Sequence, residues 1–147
     1  MSGKLQFLDT NILVYAYSED DLQKREVARS LISSGQVLIS TQVLQEFANI
    51  SHKKLKVNWE EIQATIEELS SKIPLWMNSD ETVKKACQIA ARYGYSFYDS
   101  LIISAALESQ SVVLFSQDMH SGQKIEDQLE IVNPFKGQDY KCLTSSD

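Results

Sequence analysis

Five apolar-rich runs of three to six residues recur along this chain of 147 residues, each too short for a helix and each separated from the next by segments with a helical period. The runs are Lys4 to Asp9, Val37 to Ile39, Ile73 to Trp76, Val112 to Phe115 and Leu129 to Val132. That alternation predicts an α/β fold with a mostly parallel central sheet flanked by helices, because parallel strands need long crossover connections and helices supply them. Val112 to Phe115 is continuously apolar, the pattern of a strand covered on both faces.

The helical segments carry their own boundaries. Asn11 to Tyr17 reads as a short helix, and Asp21 to Ser33 as a second one ended by Ser34-Gly35. Val43, Leu44, Phe47 and Ile50 follow the helical period behind a cap at Ser40 or Thr41, with Glu46 at the edge of the stripe. Trp59, Ile62, Ile66 and Leu69 mark a helix from about Asn58 to Lys72. Asn78 with Glu81 reads as a capping box opening a helix to Arg92, closed by Gly94. Ser96 with Asp99 repeats that pattern, and the helix running on to Gln110 is apolar almost all round, so it is expected at the centre of the molecule.

Length and composition, 43% apolar and 23% charged, fit one ordinary globular domain. The longest apolar run, the six residues Ile12 to Tyr17, is far short of the ~20 that span a bilayer, and Asp9 interrupts any signal-peptide core. No membrane association is expected. Two cysteines, Cys87 and Cys142, provide neither a disulfide framework nor a zinc pattern, which favours a reducing cytoplasm. A net charge of −6 with a pI near 4.9 excludes a broadly basic, DNA-coating protein.

In a parallel sheet with right-handed crossovers, ligands bind outside the carboxyl ends of the strands, where the following helices also begin. Asp9 ends the first strand, Asp118 lies just beyond Val112 to Phe115, and Glu46 and Asp99 sit in the first two turns of their helices. Four carboxylates from four distant segments are therefore expected at one edge. Like charges a few ångströms apart repel strongly in a partly buried site, so a cation is the natural answer. Oxygen donors with no cysteine nearby and no histidine pair suit Mg²⁺ or Mn²⁺ rather than zinc, and carboxylate-held Mg²⁺ commonly meets phosphates. Each acid also has an ordinary role: Asp9 can cap a helix, Asp99 can partner Ser96, Glu46 can be solvated and Asp118 can belong to a turn. The functional reading rests on their shared position.

These residues carry a resemblance. Leu8-Asp9-Thr10-Asn11-Ile12-Leu13, a helical Glu46 after the second strand, Phe97-Tyr98-Asp99-Ser100-Leu101-Ile102, and Ser116-Gln117-Asp118 after a strand resemble the four motifs of PIN-domain nucleases. Chain length and motif order are similar to the VapC-type toxins of bacterial toxin–antitoxin pairs, from roughly Lys4 to Pro134. The resemblance implies a three-layer PIN-like fold over residues 1–135, with 136–147 as a tail. It also implies a Mg²⁺- or Mn²⁺-dependent endoribonuclease with Asp9, Glu46, Asp99 and Asp118 as metal ligands and catalytic acids. Thr10 or Asn11 would support the first motif, and Ser116 would set a hydroxyl beside the metal. A homodimer, a cognate antitoxin that inserts a segment near the acids, and structured RNA substrates, often transfer or ribosomal RNA, are implied as well. The fourth motif departs from the family: Gln117 stands where a basic residue is common, and His120 where a second acid is common.

RNA binding at a charge of −6 has to be local, and two divalent cations would offset four of those charges. Lys53, Lys54 and Lys56, with His52, cluster at the end of the Glu46 helix, and Lys24, Arg25 and Arg29 lie on another. Either group can hold phosphates, and the lysines equally suit a helix C-terminus. Tyr15, Tyr17, Tyr95, Phe97 and Tyr98 flank the acids and can stack on unpaired bases or pack in the core. A dehalogenase-like phosphatase would have an aspartate where Asn11 stands, and a receiver domain would have a lysine where Ser116-Gln117-Asp118 stands. The remaining alternative is a non-catalytic PIN-like interaction module.

Overall fold

The computed structural model describes residues 4–136, so all but the first residue of the predicted tail lies outside the described residues. The chain begins with strand β1 (Gln6–Leu8), short helix α1 (Thr10–Ala16) and helix α2 (Leu22–Ser33). Strand β2 (Val37–Ser40) leads into α3 (Thr41–Lys53) and α4 (Trp59–Lys72), and β3 (Leu75–Trp76) into α5 (Asp80–Tyr93) and α6 (Phe97–Glu108). Strands β4 (Val113–Phe115), β5 (Lys124–Ile125) and β6 (Leu129–Val132) complete the order.

Among the described residues the strands form one sheet in the order β3-β2-β1-β4-β6-β5, parallel except where β5 meets β6. Connections from β1 to β2 and from β2 to β3 move in one direction, and the connection from β3 returns past β1 to β4. Right-handed crossovers therefore put α1 to α4 on one face and α5 with α6 on the other, giving the three layers expected. Helix α1 packs on α2 and α3, and α5 packs along α6. Phe7, Leu8, Ile39, Leu114, Phe115 and Ile131 fill the sheet's interior, each essentially without solvent exposure. Every residue of α6 from Ser100 to Leu107 is buried, as its all-round apolar sequence requires.

Two local features differ from the sequence reading. Helix α5 is capped by Ser79, whose side chain accepts from the Thr82 N–H, while the Thr82 hydroxyl accepts from the Ser79 N–H at 2.9 Å. The cap falls at Ser79 rather than Asn78 because Thr82 is also tied to α6, donating to Glu108 at 2.6 Å; Glu81 instead faces solvent beside Lys84. The β5–β6 hairpin is the second. Its turn holds Glu126 and Asp127 at φ 53° and 56° without a glycine, so the usual hairpin signal is missing from the sequence. The Tyr93 hydroxyl accepts from the Glu126 N–H at 3.0 Å and Lys85 pairs with the Glu126 carboxylate at 3.2 Å, contacts that offset the strained turn.

Candidate active site at the switch point of the sheet

Helices leave β1 on one face and return to β4 from the other, so the carboxyl ends of these two neighbours open a crevice. Asp9 follows β1 immediately, and its N–H donates to the Phe115 carbonyl at the end of β4 at 2.9 Å. It is the N-cap of α1, with extended backbone at φ −74°. Ser116 and Asp118 follow β4 on the other side of the crevice. Glu46 lies in the second turn of α3 and Asp99 in the first turn of α6, so both helix starts bring an acid to the same edge.

The side chains are tied into one network. Asp9 is buried, its Oδ1 accepting from the Thr10 N–H and its Oδ2 from the Ser116 hydroxyl, both at 2.7 Å. The Thr10 hydroxyl donates to Glu46 Oε1 at 2.5 Å, linking the first and second motifs. Asn11 links the first and fourth: its Nδ2 donates to Asp118 Oδ2 at 3.1 Å, and its Oδ1 accepts from the Gln117 N–H at 3.3 Å. Ser116 Oγ in turn accepts from the Met119 N–H at 3.3 Å, which fixes the hydroxyl toward Asp9. Thr10, Asn11 and Ser116 thus each donate a hydrogen bond to one or more of the acids.

Electrostatics confirm that the four acids share a field. Burial pushes Asp9 from 3.8 up to about 7 against the opposing pull of the Ser116 and Thr10 hydrogen bonds, and the charges of Asp99 and Glu46 add to the rise. Burial likewise raises Asp99, opposed by the Ser96 hydroxyl and assisted by Glu46 and Asp118. Asp118 itself is exposed to solvent.

The donor chemistry fits a hard divalent cation: carboxylate and hydroxyl oxygens only, around an aspartate whose proton affinity is raised by burial and by the neighbouring acids. Gln42, one helical turn before Glu46, went unnoticed in the sequence. Its Nε2 donates to Glu46 Oε2 at 2.9 Å and to the Tyr98 carbonyl at 3.0 Å, while its buried Oε1 has no partner among the described residues. An unpaired acceptor beside Glu46 is suited to a water held by a cation. The i, i+4 spacing of Gln42 and Glu46 on the capped end of α3 was the available signal. The carboxylates do not form a closed cage, however, and no group of three or more acidic, histidine or cysteine side chains among the described residues stands close enough to clasp an ion.

The predicted basic residues lie elsewhere. Lys53 ends α3 and Lys54 caps it, about 10 Å along the helix from Glu46 at ~1.5 Å per residue, and Lys56 follows in the exposed loop at φ 61°. His52 bonds the Val57 carbonyl and stacks on Trp59 at 4.0 Å, a structural role. Arg25 and Arg29 of α2 meet Lys54 around a hollow of about 530 Å³, so the two predicted basic groups converge on one depression. Tyr15 and Tyr17 pack on Phe135 and Phe47, whereas Phe97 and Tyr98 are exposed beside Asp99.

Fold and edge together define a class: open, largely parallel α/β domains that gather acidic side chains at the switch point of the sheet. The PIN domain family model matches residues 7–121, and the chain belongs to that family. No curated protein sequence matches it. Among solved structures, a toxin–antitoxin complex from Klebsiella pneumoniae is similar at 20% identity and a TM-score of 0.69, covering 89% of this chain and 98% of its own. VapC20 of Mycobacterium tuberculosis, described as a toxin that cleaves the sarcin–ricin loop, is similar at 19% identity and TM-score 0.63, over 77% of this chain and 91% of that one. DNA-bound VapBC from Salmonella typhimurium matches at 22% identity and TM-score 0.64, over 88% and 97%. Among the described residues no helix is long and apolar enough to cross a membrane.

Proposed function

We propose that this protein is a Mg²⁺- or Mn²⁺-dependent endoribonuclease, the toxin of a toxin–antitoxin pair, with Asp9, Glu46, Asp99 and Asp118 as its metal ligands. One observation carries the reading: four acids from four distant segments share the switch-point edge, where the charges of Asp99 and Glu46 add to the rise at Asp9, and those of Glu46 and Asp118 to the rise at Asp99. An acid set that unfavourable without a cation has little structural use, and phosphodiester hydrolysis is chemistry such a set serves. The toxin assignment is supported by membership in the PIN family and by a fold shared with VapC20 and with two toxin–antitoxin complexes. A cognate antitoxin, a homodimer, structured RNA such as transfer or ribosomal RNA, and a cytoplasmic setting follow from the same reading.

A bound Mg²⁺ or Mn²⁺ would lower the pKa of a coordinated water and offset charge on the phosphate. The chain's own contribution is placement. Thr10 N–H and Ser116 Oγ orient both oxygens of Asp9, the Thr10 hydroxyl and Gln42 amide orient those of Glu46, and Asn11 steers Asp118. Asp99 projects from the start of α6, where the exposed Phe97 and Tyr98 offer stacking surfaces for unpaired bases.

The test is cleavage of end-labelled small RNA by the purified protein with Mg²⁺, Mn²⁺ or EDTA, using Asp99→Asn as control. Discrete fragments that need the metal and disappear in the variant are expected. Fragments that persist in EDTA or in Asp99→Asn would overturn the assignment. The absence of a closed acid cage, with Gln117 and His120 in the fourth motif, favours a second reading, a PIN-like interaction module, which predicts no cleavage of any RNA.

A further inference from the structure

Beside the acid edge lies a hollow of about 580 Å³ that none of the four motifs uses. It is an open depression lined by Tyr93, Tyr95, Gly94 and Gly122, the two glycines at φ 79° and 93° with nothing within 4 Å of where either Cβ would stand. Both rings are held by their hydroxyls. Tyr93 accepts from the Glu126 N–H at 3.0 Å, and Tyr95 accepts from the His120 N–H at 3.2 Å while donating to Gln123 Oε1 at 2.6 Å. The Gln123 Nε2 and the His120 ring, both lining the hollow, have no hydrogen-bond partner among the described residues. Arg92 sits over the Tyr93 ring, 5.1 Å from its centroid, and supplies a positive charge at the rim. His120 is two residues past Asp118 and Tyr95 four before Asp99, so the hollow adjoins the acids from two directions.

We propose that this hollow holds one nucleobase of the RNA, that of a nucleotide flanking the cleaved phosphodiester, set against the tyrosine rings that line it with Gln123 Nε2 at the base edge. The inference rests on the nuclease reading above and adds to it a determinant of sequence preference. Tyrosine rings held by their hydroxyls favour a flat, unpaired base, and an amide already committed through its oxygen presents only its N–H donors, which favour a base edge that bears an acceptor. Arg92 suits the attached phosphate, which the neighbouring acids would otherwise repel.

The experiment sequences the fragment ends left by wild type, Gln123→Ala and Gln123→Glu on the same small-RNA pool. In wild type one base is preferred at a single position flanking the cut, and in both variants that preference falls about tenfold, the size of one lost base contact. Gln123→Glu replaces a donor by an acceptor and shifts the preference to a different base. An unchanged base profile with cleavage intact would overturn this inference and leave the nuclease reading standing; no cleavage by wild type with any divalent metal would overturn both. For a variant that keeps the wild-type circular-dichroism spectrum but cuts nothing, filter binding of the wild type's preferred RNA and of a sequence changed at that one base is compared in Ca²⁺. Loss of discrimination supports the subsite, and retained discrimination overturns it.

Discussion

The acid edge has an inner and an outer half. Inside, Asp9 is buried and takes hydrogen bonds on both oxygens, and Glu46 is clasped by Thr10 and Gln42. Outside, Asp118 is exposed with the Asn11 amide as its side-chain donor, and Asp99 is half-buried beside Ser96. The difference is one of enclosure: the inner half is shaped by the fold, and burial opposes the charge of Asp9, while Asp118 in the outer half stays open to solvent.

Breaking either half should abolish cutting, the largest effect expected. Asp9→Asn and Asp99→Asn each lower RNA cleavage by about a thousandfold or more, in a gel assay at saturating Mg²⁺, because each removes a charged ligand that no neighbour replaces. Thermal unfolding of the metal-free variants should be unchanged or improved, since one like charge is gone.

Next in size is the inner half's dependence on pH. Asp9 binds its proton near pH 7 when folded and near 3.8 in an unfolded chain, so between these values the folded state holds more protons. Its contribution to stability is full below about pH 4 and is lost as pH rises through 7, on the order of 4 kcal/mol at ~1.4 kcal/mol per unit. Urea unfolding in EDTA should therefore show lower stability at pH 8 than at pH 5, a loss that Asp9→Asn abolishes and Mg²⁺ reverses in the wild type. Equal stability at the two pH values would show that Asp9 is not the strained member of the pair.

The props come third. Thr10→Val keeps the shape of the side chain and removes the hydroxyl that holds Glu46, so cleavage should fall 10- to 100-fold with weaker Mg²⁺ affinity, and Thr10→Ser should restore both. A purely structural role for Thr10 would leave metal affinity untouched. Smallest is the basic end of α3: Lys53→Ala with Lys54→Ala should weaken RNA binding a few-fold and reduce its salt slope by about 1 to 2 without altering metal affinity. An unchanged slope would route the RNA away from the end of α3.

Both halves of this comparison were partly legible in the sequence, for different reasons. Strand-ending Asp9 and the capped helix start at Asp99 are local signals, and a parallel sheet translates them directly into position. The fold class was legible because β1, β2, β3, β4 and β6 lie in apolar-rich runs and helix ends such as the one at Gly94 are marked in the sequence. What escaped depends on contacts between distant segments. Gln42 matters only because Tyr98 of α6 lies against it, Ser79 caps α5 only because Thr82 is anchored by Glu108, and β5 is two residues long with a turn stabilised by Tyr93 and Lys85. The lysine cluster at the end of the Glu46 helix was legible as a position on α3, with Lys53 as its last residue and Lys54 as its C-cap.

The most direct test of the central claim is calorimetric titration of Mg²⁺ into the wild type, Asp9→Asn and Asp99→Asn at pH 7.5. Saturable binding to the wild type, weakened tenfold or more in each variant, is the result expected of an acid edge built to hold a cation. No heat of binding, or equal affinity in all three proteins, would contradict it.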